Sequence, residues 1–216
     1  MVCQVFFKGA NMGRKNAQEE KRTLILEALH VCLIEKPFDQ TSIKDIAHAA
    51  GINPGLIHYY FRSKEDILLH YIDHVIRYYK AIFEQWLVEK QTEGVAGIDL
   101  VTAFFDSIND LITLDRQLSV VFIELWEIAV YNPAVRDRLR QAYREWMDAL
   151  AFILQGATAD PTAAKRISIA IVAFLEGISM FSVILDPDTA DIREVLTGFQ
   201  NRIIDMLSIA QIPENQ

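Results

Sequence analysis

Asn53, Pro54, Gly55, His58 and Tyr59 fall within seven consecutive residues and share one chemical aptitude. Asn, His and Tyr carry hydrogen-bonding groups, while Pro and Gly are compact enough for a backbone to approach a partner closely. On the first turns of a helix, such a set suits the reading of base edges in a DNA major groove. Thr41, Ser42, Tyr60 and Lys64 flank it with hydroxyls and an ammonium, the groups that hold phosphate oxygens. Two other spacings would suit a metal. Glu27 and His30 form E-x-x-H, which a helical bundle uses only with a second such pair and two further carboxylates, and the chain has no second pair. His70 and His74 share a helix face, but only Asp66 and Asp73 lie near them in sequence, so the plainer reading is two exposed histidines. With no nucleophile-base pairing and no Gly-rich phosphate loop, the expectation is no catalytic residue, no metal and no cofactor.

The elements that position the first set are legible. Ser42 followed by Asp45 is a capping-box-like start, and Ile43, Ile46, Ala47 and Ala50 recur at helical spacing. Gly51 supplies the left-handed backbone that ends a helix, and Asn53-Pro54 starts the next, with Asn as cap and Pro where no N–H is needed. Leu56, Ile57, Tyr60 and Phe61 are expected to form its inner face. Two short helices joined by about four residues containing Gly read as a helix-turn-helix.

The stretch T-S-x-x-D-I-A-x-x-A-G-I-N-x-G-x-I-x-Y-Y-F-x-S-K-E-x-I-L, beginning at Thr41, resembles the DNA-binding signature of the TetR/AcrR family of bacterial transcriptional regulators. His58 departs from it, standing where that family usually has Tyr. More loosely, the segment from Leu125 through Asn132-Pro133 to Leu154 resembles the body of a TetR subgroup, where a tryptophan-bearing helix precedes an N-P-x-x-R turn. The resemblance implies an all-α fold: an N-terminal three-helix helix-turn-helix domain followed by a helical ligand-binding and dimerisation domain. It also implies a dimer whose paired recognition helices match a palindromic double-stranded operator.

The bulk numbers agree once divided. The net charge of -8 seems at odds with a DNA partner, but residues 1–70 hold nine Lys/Arg against eight Asp/Glu, and the remainder twelve against twenty-one. The acidity belongs to the C-terminal part, which leaves the head able to meet a phosphate backbone. Cys3 and Cys32 are too few for a disulfide framework, and Cys32 reads as a small buried hydrophobe in a reducing cytoplasm. Residues 1–11 read as an upstream extension before a natural start at Met12.

The expected organisation is a flexible arm over residues 1–18, a DNA-binding domain over 19–64 and a body over 65–216. Arg14, Lys15, Lys21 and Arg22 are cations of a solvated arm, or of one that touches phosphates. A first helix from about Glu19 to Glu35 stops at Pro37, and a long one runs from Ser63 to about Glu89. Gln91–Gly97 reads as the break between head and body. Body helices are expected over Ile98–Leu114, Arg116–Tyr131, Pro133–Gly156, Pro161–Leu185 and Thr189–Ala210.

Ile167–Leu185 is nineteen residues with one charge, Glu176, long enough to suggest a membrane span. Glu176, Gly177 and three serines interrupt it, so the expectation is no membrane and burial against the last helix. Ile171, Phe174, Ile178, Phe181, Leu196, Phe199 and Ile203 then form the expected homodimer interface. Trp86, Phe104, Phe105, Phe122, Trp126, Tyr143 and Trp146 are more often core than pocket taken singly, but as a group they could wall an apolar or aromatic effector. Glu124 is the carboxylate that could face a cationic ligand, or simply pair with Arg136, Arg138 or Arg140. The function expected is a cytoplasmic, dimeric, ligand-responsive DNA-binding regulator, most simply a repressor. The alternatives are control by a protein partner or corepressor and, remotely, an enzyme.

Overall fold

The structure, a computed structural model, describes residues 13–108, 115–158, 160–185 and 189–209. The expected extension over residues 1–11 and the last six residues of the expected Ile98–Leu114 helix lie outside them. Among the described residues the chain forms α1 Gly13–Glu35, α2 Ile43–Ala49, α3 Pro54–Tyr60, α4 Lys64–Thr92, α5 Gly97–Ile108, α6 Arg116–Tyr131, α7 Pro133–Gln155, α8 Pro161–Ile184 and α9 Thr189–Ile209, with no strand. The helix α1 begins six residues before the expected Glu19, because residues 14–22 are almost wholly good helix formers. Residues 13–18 of the expected arm are thus helical.

Two compact units part between Tyr71 and Ile72, inside α4 and not at the expected 64/65 boundary. The reason is packing. Ile67, Leu68 and Tyr71 of α4 are buried in the first unit, where the Tyr71 hydroxyl hydrogen-bonds His30 Nδ1 at 2.6 Å. Gly94 and Gly97, at φ +78° and +58°, turn the chain after α4, but this connection divides no compact unit.

In the first unit Ile25, Leu29 and Leu33 of α1, Ile46 of α2, Ile57 of α3 and the following Phe61 are all nearly or fully buried, and α2 packs on α1. Cys32 is buried and unpaired by any disulfide. His30, the expected bland half of E-x-x-H, is bonded to Tyr71, and His70 is partly buried against the Phe61 ring with Asp66 at 3.5 Å. His74 is also partly buried, so neither histidine is fully exposed as expected.

In the second unit α8 packs chiefly against α7 and α6, while α9 lies mainly on α5. This corrects the expectation that α8 is buried by α9. The two helices meet where Phe174 and Phe199 stack at 3.8 Å, and Phe199 also sits edge-on to Phe105 at 6.2 Å. By length and composition α8 could cross a membrane, with a mean hydropathy of 2.2 over an 18-residue window of which 17% is buried. Ile169, Phe181 and Ile184 stand on α8 47–63% exposed.

Candidate DNA-reading face and effector cavity

Helix α2 is fixed at both ends by local chemistry. The Ser42 hydroxyl accepts from the Asp45 N–H at 3.2 Å while Asp45 accepts from the Ser42 N–H at 2.7 Å. The Lys36 ammonium at 2.8 Å, with the Ser42 hydroxyl and N–H each donating at 2.7 Å, holds the Asp45 carboxyl far below the usual carboxylate range. At the other end Gly51 at φ +63° lets its own N–H reach His48 O and the Ile52 N–H reach Ala47 O, a Schellman closure. Asn53 then caps α3, accepting from the Gly55 N–H at 2.8 Å.

The short α3 is held by few contacts. Ile57 is 1% exposed and the following Phe61 2%, whereas Leu56, expected to face inward, is 37% exposed because the turn points it away from α1 and α2. Asn53, Pro54, Gly55, His58 and Tyr59 are all exposed, and Tyr59 stands 73% clear with its ring edge-on to Tyr60. Arg22 closes the C-terminal end: its guanidinium donates to Tyr60 O at 2.7 Å and lies 4.4 Å from the Phe61 ring centre. That cation ties the end of α3 to α1 and does not belong to a solvated arm.

Two expected phosphate contacts are committed inside the head. Thr41 is 1% exposed and its hydroxyl donates to Pro37 O at 3.0 Å. The Lys64 ammonium donates to Phe38 O at 2.7 Å and sits 4.3 Å from the Phe38 ring centre. Both secure the turn before α2. Ser42 and Tyr60 remain at or near the surface.

The second unit encloses a cavity of about 420 Å³, well inside the range of small-molecule sites. Tyr79 and Phe83 of α4, Phe104 of α5, Leu118 and Phe122 of α6, and Trp146 of α7 form its apolar wall, with Val172, Leu175, Glu176 and Ser179 of α8 opposite. The aromatic rings interlock: Phe83 is edge-on to Phe104 at 6.4 Å and Phe122 to Trp146 at 6.2 Å. A smaller cavity of about 250 Å³ lies along α4 and α5, lined among others by Trp86, Phe104 and Glu89.

Of the expected pocket residues, Phe104, Phe122 and Trp146 line the large cavity and Trp86 the small one. Phe105 is 1% exposed and packed in the core, because it lies on the side of α5 that faces α9. Trp126 and Tyr143 stand one layer behind the wall, and Glu124 lines neither cavity. Of the three arginines offered as partners for Glu124, Arg138 meets Asp73 at 3.1 Å, Arg140 meets Asp137 at 2.8 Å and Arg136 bonds backbone carbonyls. Four carboxylates lie on the cavity lining, Glu84, Glu145, Asp148 and Glu176, and Glu176 is the one that α8 brings to it. The sequence signal was present, as the one charge within nineteen apolar residues, but which helix it would face was not.

Glu176 is held by a relay. Trp126 Nε1–H donates to the Tyr143 hydroxyl at 2.8 Å, and that hydroxyl donates to Glu176 Oε1 at 2.9 Å. Burial pushes the Tyr143 phenol well up, and the neighbouring Glu176 charge adds to it. Burial likewise lifts the Glu176 carboxyl from its ordinary 4.5 to about 7, against the lowering effect of the Tyr143 hydrogen bond. Between those two values the folded chain keeps a proton that the unfolded chain has released. Unfolding free energy should therefore fall by about 3 kcal/mol as pH rises across that window, then level off. Denaturant unfolding at stepped pH checks it, since Glu176→Gln should lack this component of the slope.

The sequence profile described as "Bacterial regulatory proteins, tetR family" matches residues 25–71, and that described as "BetI-type transcriptional repressor, C-terminal" matches residues 98–205. The chain is 24% identical over 209 residues to an uncharacterized HTH-type transcriptional regulator in the dhlA 5' region of Xanthobacter autotrophicus, covering 95% of this chain and 98% of that one. It is 28% identical over 136 residues to the HTH-type transcriptional repressor KstR2 of Rhodococcus jostii, covering 54% and 66%. Its fold is similar to a TetR transcription regulator from Haloarcula marismortui, with a TM-score of 0.71 at 20% identity over 87% of this chain and 98% of that one.

Proposed function

Because the chain belongs to the TetR family of bacterial regulatory proteins and is a helix-turn-helix transcriptional regulator, we propose that it is a cytoplasmic, dimeric repressor released from a palindromic operator by a small, largely apolar effector. The observation that carries the effector is the aromatic-walled cavity of about 420 Å³ with one buried carboxylate at its side. Asn53, Pro54, Gly55, His58 and Tyr59 face the major groove, with Ser42 and Tyr60 placed for phosphates. Thr41 and Lys64 serve the operator through the turn they secure.

The dimer forms through α8 and α9, by a set of side chains that overlaps the expected one only in part. Ile171, Leu196 and Ile203 are at most 5% exposed within one chain and face its own core. Ile169, Phe181 and Ile184 of α8, the following Leu185, and Val195 and Met206 of α9 carry the uncovered apolar surface, each between 47% and 65% exposed. Phe174, Ile178 and Phe199 are partly buried beside them. A surface of this kind calls for a partner, and a two-fold copy supplies it.

Helix α4 links the two functions, since it gives Ile67, Leu68 and Tyr71 to the head core and Tyr79, Lys80, Phe83 and Glu84 to the cavity. An effector that favours the released conformation by about 1–3 kcal/mol relieves repression five- to 150-fold. The test is titration of the protein onto DNA upstream of its own gene at two salt concentrations, then repetition with candidate effectors. Tight, salt-sensitive binding to one palindrome that weakens with effector is expected. A molecule that fills the cavity yet leaves operator affinity unchanged would remove the release mechanism.

A further inference from the structure

The two oxygens of Glu176 are served unequally. Oε1 accepts from the Tyr143 hydroxyl at 2.9 Å, and that hydroxyl is itself fixed by the Trp126 N–H at 2.8 Å. Oε2 has no donor among the described residues, yet the buried side-chain atom left without a partner among them is Trp86 Nε1. Oε2 is therefore not sealed in, and it opens on the cavity that Glu176 lines. An ionised carboxylate in this place is stabilised on one side by Tyr143 and needs water from the cavity on the other. The rest of the lining does not relieve it. Lys80 and Glu84 of α4 and Glu145 and Asp148 of α7 are its other charged side chains, α5 and α6 contribute apolar ones, and α9 contributes none. Lys80 is paired with Glu145 at 3.2 Å, while Glu84 and Asp148 are exposed. Hydrogen bonds from Gln141 and Lys80 hold the Glu145 carboxyl below its usual range, and burial pushes the Tyr79 phenol well up, so neither competes for a proton near neutrality.

We propose that the regulator reads pH and effector together: an uncharged effector enters the large cavity along with a proton, which passes from solvent to Glu176. This rests on the effector reading above and adds a second input to it. An apolar molecule in the cavity takes the place of water beside Oε2 and offers no donor in return. The ionised carboxyl is then the form penalised, and the neutral acid is favoured. No bond of the effector changes; water leaves and one proton is taken up. The sign follows from linkage. Burial already lifts the carboxyl of the unliganded protein to about 7, and an apolar occupant lifts it further. Between those two values the occupied protein holds a proton that the empty one has released. Effector affinity is therefore full below about pH 7 and falls up to about tenfold per pH unit above it, until the occupied form also ionises. Tyr143 sets where the fall begins, because its hydrogen bond favours the charged form against burial. The effector concentration that releases the operator rises by the same factor.

The test uses naphthalene, which has no titratable group, added to the full-length protein from about pH 6 to 8.5 and followed by the fluorescence of Trp146 in the cavity wall. Its Kd should rise at least about 10-fold across that range. Titration calorimetry at about pH 7 in phosphate and in Tris should show uptake of about half a proton per site. Glu176→Gln cannot ionise, so it should hold naphthalene at every pH about as tightly as the wild type does at the acid end, with no proton uptake. Tyr143→Phe removes the donor to Oε1 and should move the start of the fall to higher pH, a shift that a merely structural role would not produce. If Glu176→Gln does not fold, the wild-type proton uptake and the Tyr143→Phe shift give the answer. A flat wild-type Kd without proton uptake, an equal fall in Glu176→Gln, or an unmoved start in Tyr143→Phe overturns the proton linkage and leaves the cavity as an effector site. No binding of naphthalene at any pH overturns both.

Discussion

Tyr59→Ala should weaken operator binding by about 2–6 kcal/mol over the two half-sites of a dimer, at least a 30-fold rise in Kd. The side chain is 73% exposed, and its one aromatic contact is the edge of Tyr60 at 5.0 Å. Removing an exposed ring of this kind costs little stability, within about 0.5 kcal/mol. The effect should therefore appear in DNA binding alone, with the thermal midpoint and the sedimentation of the dimer unchanged. Fluorescence anisotropy on the same operator measures it, and Tyr59→Phe separates the hydroxyl from the ring. Ile57→Ala provides the contrast: that residue is 1% exposed, so its loss should lower DNA binding by loosening the head. An operator held as tightly by Tyr59→Ala as by the wild type would show that α3 presents a different face to DNA.

Phe105→Ala should act on stability and not on effector recognition. The ring is 1% exposed, 5.8 Å from Phe104 and 6.2 Å from Phe199, so truncation leaves a cavity where α5 meets α9. Phe→Ala in such a place costs about 3–5 kcal/mol, and for a chain of this size the midpoint should drop by roughly 6–20 °C. Below that midpoint, a ligand that fills the large cavity should bind with its affinity little changed, because Phe105 does not line it. Phe122→Ala should do the reverse, since that ring is part of the wall. A Phe105→Ala protein with an unaltered melt and lost effector binding would place Phe105 in the site after all.

What the sequence determined by itself is local. Ser42 with Asp45, Gly51, and Asn53-Pro54 encode the helix-turn-helix through bonds that span two to five residues, so caps and stops could be read without knowing what packs on them. Two body helices followed equally from their punctuation: Asn132-Pro133 and Asp160-Pro161 each place a cap before a proline, and α7 and α8 start where those signals fall. Periodicity also picked Ile46, Ala47 and Ile57 as inward-facing residues of the head.

Which side of each long helix meets which neighbour was decided only in three dimensions. The helix α8 is apolar nearly all round, so hydrophobic spacing could not distinguish Ile171, buried in its own subunit, from Ile169, left exposed two residues away. For the same reason Phe104 and Phe105 read alike in sequence, though one lines the cavity and the other fills the core. Lys64 and Arg22 looked like cations for phosphates until the fold brought Phe38 O and Tyr60 O within reach, twenty-six and thirty-eight residues away. Glu176 depended on the tertiary structure most of all. Its lone charge was visible in the sequence, but the cavity, the Tyr143 bond and the burial that lifts its carboxyl arise only when α6, α7 and α8 come together.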